Sequence, residues 1–215
     1  MIRACIFDLD GVIVDTARYH FLAWSRLAGE LGIPFTERDN ERLKGVSRMR
    51  SLEILLSLGK NKTYSDSEIE ALAARKNEWF VEYIDRMDRS EIFPGVEKLI
   101  ADLKHRGILV GLASSSKNAP QVIQSLGIAD EFDVVVDGGM VKHAKPDPEI
   151  FLLAASLLKI SSHDCVVFED AAAGIDAAIA AGMKSVGIGS SELLGHANIV
   201  VSRTGDFDPE ELKKL

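Results

Sequence analysis

The sequence predicts a doubly wound α/β domain, a parallel sheet covered by helices on both faces, interrupted near its start by an all-helical insertion. Three observations predict it. A short apolar run, Ala4-Cys5-Ile6-Phe7, reads as a strand. No convincing strand then appears between residues 16 and 87, where apolar positions recur with the 3.6-residue rhythm of helices. From Ile92 onward, uniformly apolar runs alternate with helical patterns, as in a parallel sheet buried on both faces.

The first strand must join the later sheet, because nothing in the helical stretch can pair with it. A helix over 16–31 carries apolar positions at Phe21, Trp24, Leu27, Ala28 and Leu31, and Gly32-Ile33-Pro34 stops it. Helical patterns follow at about 37–43, 49–58 and 65–87. In the last of these Ser65 is the N-cap and Glu68 completes a capping box. The alternating part then reads helix 96–105, strand 108–113, helix 119–126, strand 132–136, helix 147–158, strand 165–168, helix 171–181 and strand 185–188. A weaker strand at 199–201 and a short helix after Pro209 finish the chain. The expected organisation is a Rossmann-like catalytic core, 1–15 with 88–215, and a helical cap, 16–87. Ligands of such sheets bind at the carboxyl ends of the strands. The insertion leaves from that edge and is expected to overhang the site as a lid.

The 215 residues suffice for one good-sized domain, or a core with a small companion. A hydrophobic share of 47% with 27% charged residues is that of a soluble globular protein. The net charge of −8 argues against a nucleic-acid partner, which needs a basic surface, but leaves room for small phosphorylated ligands. Cys5 and Cys165 sit in apolar runs and read as buried thiols, with no spacing that supports a disulfide or metal pair. Asp8 interrupts the amino-terminal apolar run, so no signal peptide is expected. No stretch approaches the ~20 apolar residues of a membrane span. A cytoplasmic monomer without a membrane partner is the expectation.

Chemistry concentrates just after predicted strands. Asp8 and Asp10 directly follow the first strand, and side-chain alternation along an extended backbone points both to the same side at its carboxyl end. Two carboxylates that close repel unless a cation sits between them or one stays protonated. Gly11 then permits a sharp turn. Three more groups follow later strands: Ser114-Ser115-Ser116-Lys117-Asn118, Lys145-Pro146 and Glu169-Asp170. Singly each is ordinary, a serine-rich turn, a surface lysine, acids at a helix start. Converging on one edge, they describe a magnesium and phosphate site. Asp8, Glu169 and Asp170 are hard oxygen ligands suited to Mg²⁺. Lys145, the Ser114 hydroxyl and backbone N–H groups after Asp8 and Ser114 can hold phosphoryl oxygens. One aspartate could attack phosphorus and the other shuttle a proton.

Asp8-Leu9-Asp10-Gly11-Val12, Ser114, Lys145-Pro146 and Glu169-Asp170 resemble, in order and across essentially the whole chain, the motifs of the haloacid dehalogenase-like phosphotransferases. The resemblance implies Asp8 as nucleophile and Asp10 as acid/base, with Asp10 also lending Mg²⁺ its backbone carbonyl. Retention of Asp10 disfavours the dehalogenase and phosphonatase branches.

The cap carries Leu43-Lys44-Gly45-Val46-Ser47-Arg48-Met49-Arg50-Ser51-Leu52. A glycine loop feeding a helix with Arg48 in its first turn can bind an anion. An ordinary interhelical turn with surface arginines fits these residues equally well. The segment resembles the Lys-Gly-Val-Ser-Arg-x-x-Ser-Leu signature of the β-phosphoglucomutases. Asp15-Thr16-Ala17-Arg18-Tyr19-His20, Trp24 and Ala74-Arg75-Lys76-Asn77 are similar to that family as well. Ser115 stands where a small apolar residue is common there, and the cap is slightly shorter before Lys44. The resemblance implies a small-molecule sugar phosphate as ligand, contacted by Gly11, His20, Trp24, Gly45, Val46, Ser47, Arg48, Ser51, Lys76 and Ser115. Arg48 with Ser116, Lys117 and Asn118 would hold the non-transferring phosphate. The implied reaction interconverts β-D-glucose 1-phosphate and D-glucose 6-phosphate through an aspartyl phosphate and a bisphosphate. A sugar-phosphate phosphatase is the alternative, and a phospho-accepting regulatory module a third reading.

Overall fold

The computed structural model describes residues 1–43, 47–59 and 63–215. Among these, six strands form one sheet: β1 (Ala4–Phe7), β2 (Leu109–Ala113), β3 (Val134–Val136), β4 (Cys165–Glu169), β5 (Lys184–Ile188) and β6 (Ile199–Val201). Their order is β3-β2-β1-β4-β5-β6, and every neighbouring pair is parallel. β1 and β4 are buried along their whole length, which explains the apolar run of each, broken only by Glu169 at the end of β4. Phe7 pairs with Leu112 on one side and Phe168 on the other, and its ring stacks on Phe168 at 4.4 Å. The strand order reverses between β1 and β4, the point at which doubly wound sheets open a ligand crevice.

The chain divides into two compact units, Met1–Asp15 with Met87–Leu215, and Thr16–Arg86. The second contains α1 (Ala17–Leu31), α2 (Glu37–Asn40), α3 (Arg48–Ser57) and α4 (Asp66–Ile84), and no strand among its described residues. Local chemistry bounds these helices. Gly32 ends α1 with a left-handed φ of 66°. Thr36 with Asp39, and Ser65 with Glu68, form capping boxes at the starts of α2 and α4. Trp24, Leu27 and Ala28 of α1 are buried, as the helical rhythm requires. Trp79 of α4 is buried beneath the Arg26 guanidinium, 4.3 Å from its ring centre.

In the sheet-bearing unit the helices are α5 (Val96–His105), α6 (Ala119–Ser125), α7 (Glu149–Leu158), α8 (Ala172–Ala180) and α9 (Ser191–Leu194). Ile150, Phe151 and Ala154 of α7, with Ala177 and Ala178 of α8, pack with Ile6, Ala113, Val136 and Val167 in one apolar cluster. Cys5 and Cys165 are buried free thiols, and burial raises both above their ordinary values, Cys165 to about 11. No helix among the described residues is long and apolar enough to cross a membrane.

Several boundaries differ from the sequence reading for physical reasons. The helix over 65–87 ends at Ile84, because Met87, which continues the apolar rhythm, belongs to the other unit. The segment 37–43 tightens into a 3₁₀ turn at Glu41–Leu43. β3 starts at Val134 because Asp133 turns its carboxylate onto the Val110 N–H, 2.7 Å away. The helix expected from 147 starts at Glu149, whose N–H donates to Asp147 Oδ1 at 2.9 Å.

Candidate active site

The site of the sheet-bearing unit is built at the carboxyl ends of β1, β2 and β4. Asp8 directly follows β1, and its N–H donates to the Phe168 carbonyl at 2.9 Å. Ser114 directly follows β2, and its N–H donates to Val136 O at 3.0 Å. Glu169 is the last residue of β4. Three polar side chains therefore emerge from the rigid centre of the sheet, and Asp8, Ser114 and Glu169 are all buried.

Lys145 arrives from the loop before α7. Its Nζ donates to Asp8 Oδ1 at 2.5 Å, to Glu169 Oε2 at 2.7 Å and to Ala113 O at 3.5 Å. The ammonium also lies 4.9 Å from the centre of the Phe151 ring. Its side chain is 9% exposed. Burial alone would disfavour the charged form, but Asp8 and Glu169 more than offset it, and Lys145 is raised above its ordinary value.

Asp170 completes the carboxylate group, its ligand oxygen lying with those of Asp8 and Glu169 within 4.8 Å of one another. Three carboxylates against one ammonium leave an excess of negative charge in a largely buried place. Burial pushes Glu169 up to about 8; Lys145 opposes the rise, and Asp8 and Asp170 add to it. A hard divalent cation would relieve that excess, and an all-oxygen donor set suits one. Backbone shape supports the fit. Gly11 has a φ of +73°, and a Cβ there would stand 1.9 Å from Asp170 Oδ2. A Cβ on Gly174 would stand 2.0 Å from Glu169 Cδ. Both acids occupy space that only glycine leaves open.

Asp10 lies beyond β1 and is half-buried. Strand alternation alone does not place it. A turn does, in which Ile13 N–H donates to Leu9 O at 2.9 Å and Gly11 N–H to Val14 O at 2.9 Å. Leu9, Val12 and Ile13 anchor that turn in the core. The Ser114–Asn118 loop is a ladder of hydroxyl-capped turns. Ser114 Oγ accepts from the Ser116 N–H, and Ser116 Oγ from the Asn118 N–H, both at 3.2 Å. Ser115 and Lys117 are exposed, Ser116 and Asn118 half-buried. A Cβ on Gly138 would stand 2.0 Å from Ser115 O, so a bare backbone backs this loop.

The helical unit has its own cluster. Lys76 is buried, with Nζ 2.7 Å from His20 Nδ1 and over the rings of Trp24 (4.6 Å) and Phe80 (4.8 Å). His20 stacks on Phe80 at 4.0 Å. Burial, and then the Arg48 charge, push Lys76 down to about 7. Burial holds His20 well below its ordinary value, reinforced by Lys76 and Arg48. His20 is therefore neutral, and Nδ1 is its acceptor when Lys76 is protonated. Arg48, half-buried in the first turn of α3, donates from Nη2 to Asn77 Oδ1 at 2.7 Å. Ser47 caps α3 by accepting the Arg50 N–H at 3.3 Å. The buried Ser51 hydroxyl donates to Leu43 O at 3.4 Å. Gly45 and Val46 lie outside the described residues.

Among the candidates, Asp8, Lys145, Glu169 and Asp170 are brought into one cluster beside Ser114, and His20, Trp24 and Lys76 into another. Sequence reasoning passed over Gly174, Gly138 and Glu149. Glu149 Oε2 accepts the N–H groups of Lys142 (3.0 Å) and His143 (2.8 Å), clasping the loop that delivers Lys145. Those backbone bonds hold its carboxyl below the usual range. The acid at the start of a helix just after Lys145-Pro146 was the available signal.

A family model described as haloacid dehalogenase-like hydrolase matches residues 2–182. The chain is 46% identical over 211 residues to a beta-phosphoglucomutase of Bacillus subtilis, across 98% of this chain and 93% of that protein. It is 33% identical over 213 residues to a phosphorylated carbohydrates phosphatase of Thermotoga maritima, across 98% and 96% of the two chains. The crystal structure of a beta-phosphoglucomutase from Clostridium difficile matches with a TM-score of 0.92 at 46% identity, covering 100% of this chain and 96% of that one. With the parallel sheet in the order found and the ordered acidic, serine and lysine motifs at its carboxyl edge, the chain belongs to the haloacid dehalogenase-like hydrolases.

Proposed function

We propose that the protein is a β-phosphoglucomutase that interconverts β-D-glucose 1-phosphate and D-glucose 6-phosphate. The observation that carries phosphoryl transfer is the buried Lys145 ammonium shared between Asp8 and Glu169, with Asp170 beside them. The choice of a sugar as acceptor is supported by the likeness to the Bacillus subtilis and Clostridium difficile mutases.

Asp8 is the nucleophile. One of its oxygens attacks phosphorus, the bond to the sugar oxygen breaks, and an aspartyl phosphate forms. Asp10 gives a proton to the departing sugar oxygen and takes one from the hydroxyl that later attacks the aspartyl phosphate. Lys145 and the Ser114 hydroxyl hold the equatorial phosphoryl oxygens, where charge builds in the transition state. Asp8, Glu169 and Asp170, with the Asp10 carbonyl, would hold Mg²⁺, which neutralises phosphoryl charge when bound. His20 and Lys76 serve the sugar hydroxyls. Arg48 is the helical unit's ligand for the phosphate that is not being transferred, a need peculiar to a bisphosphate intermediate.

A sugar-phosphate phosphatase is the second reading, favoured by the likeness to the Thermotoga maritima phosphatase. A coupled assay for glucose 6-phosphate, started from β-glucose 1-phosphate and primed with the bisphosphate, separates the two. Isomerisation well ahead of phosphate release is expected, and Arg48→Ala should abolish most of it. Rapid phosphate release without isomerisation would make the protein a phosphatase.

A further inference from the structure

We propose that Asn77 is a positioning residue for phosphate recognition, an uncharged acceptor that aims the Arg48 guanidinium while leaving its charge to the ligand. The inference rests on the mutase reading, in which Arg48 holds the non-transferring phosphate. Arg48 opens α3 and Asn77 lies on α4, 29 positions apart, and the bond from Nη2 to Oδ1 is 2.7 Å long in a partly buried setting. A guanidinium has five N–H donors in a rigid plane. One bond to an amide fixes that plane and leaves other donors for a bidentate grip on phosphate.

The residue type is what makes the arrangement informative. Three other arginines of the same unit pair with carboxylates: Arg26 with Glu82 at 3.5 Å, Arg50 with Glu53 at 2.7 Å and Arg75 with Glu30 at 3.1 Å. Those pairs neutralise charge. A carboxylate at 77 would hold Arg48 more tightly than an amide does, but it would compete directly with phosphate for the guanidinium. An amide orients without competing. The charge of Arg48 is also felt by its neighbours, since it adds to burial in lowering both Lys76 and His20.

The test is calorimetric titration of glucose 6-phosphate, with Mg²⁺ present, into the wild type, R48A, N77A and N77D, alongside their thermal midpoints and isomerase rates. R48A should lose the most affinity. N77A should weaken binding on the order of tenfold, the scale of one hydrogen bond to a charged group. N77D should bind more weakly than N77A while melting no lower than it. A purely structural Asn77 predicts the opposite, rescue by aspartate. Wild-type affinity in N77D, or no loss in N77A, overturns the assignment and leaves the mutase reading standing. R48A binding as tightly as the wild type removes the role of Arg48 and the inference with it. The expected order of affinities without any isomerisation would overturn the mutase reading and keep Asn77 in its role.

Discussion

The Lys145 ammonium stands 2.5 Å from the Asp8 carboxylate, joining residues 137 positions apart at the buried edge of the sheet. That single contact ties a loop cation to the proposed nucleophile, and Glu169 shares the same ammonium at 2.7 Å.

Lys145→Met should therefore harm both stability and turnover. Removing one partner from a buried pair leaves uncompensated charge and costs roughly 3–5 kcal/mol. Loss of the charge proposed to stabilise the transferring phosphoryl group should lower kcat by about 10²-fold or more. Thermal melts at neutral pH and initial-rate kinetics check the two effects separately. An unchanged melting midpoint would show that the carboxylates do not need this cation.

Binding of Mg²⁺ should raise the melting midpoint, because a ligand that binds only the folded state stabilises it by about 2.7 kcal/mol at a hundredfold excess over Kd. Gly174→Ala should shrink that rise, since its Cβ would occupy the space of the Glu169 carboxylate. Melting midpoints measured against Mg²⁺ concentration, with a chelator as the zero point, decide it. An identical Mg²⁺ response in both proteins would rule out Glu169 as a ligand.

Stability should depend on pH through Lys76. Its folded value is pushed down to about 7 from the ordinary 10.5, so between those values the unfolded chain binds more protons. Stability from this group is fully present above pH 10.5 and is lost as pH falls towards 7, by at most about 1.4 kcal/mol per unit. Denaturant titrations at successive pH values should show that slope in the wild type and a flatter one in Lys76→Met. Parallel curves for the two proteins would exclude Lys76 as its source.

Glu149→Gln weakens the clasp on the Lys145 loop without emptying the position. Faster hydrogen exchange at the Lys142 and His143 amides is expected, together with reduced kcat and little change in melting. Unaltered exchange at both amides would mean the loop is held by something other than this carboxylate.

Much of this was legible in the chain itself. The buried strand at Ala4–Phe7 and the Ser65–Glu68 capping box are local features, written in consecutive residues. Among the candidate residues Asp8, Ser114 and Glu169 lie at the ends of apolar runs, and Lys145 stands in the loop before α7. What stayed hidden is long-range. Nothing near Lys145 says that its ammonium will be shared by two carboxylates. Met87 carries a helical rhythm but packs with the other unit. Gly174 looked like any small helix residue until the Glu169 carboxylate appeared against it. Asn77 stood inside a recognised motif, yet its role depends on an arginine from another helix.

The central place of β1 has a consequence for how the protein is made. Phe7 is synthesised long before its two ladder partners, Leu112 and Phe168. Asp8, the proposed nucleophile beside it, gains its partners only after Lys145, Glu169 and Asp170 have been synthesised. A chain cut short before β4 therefore leaves β1 with one open edge and lacks Glu169 and Asp170, two acids of the candidate site.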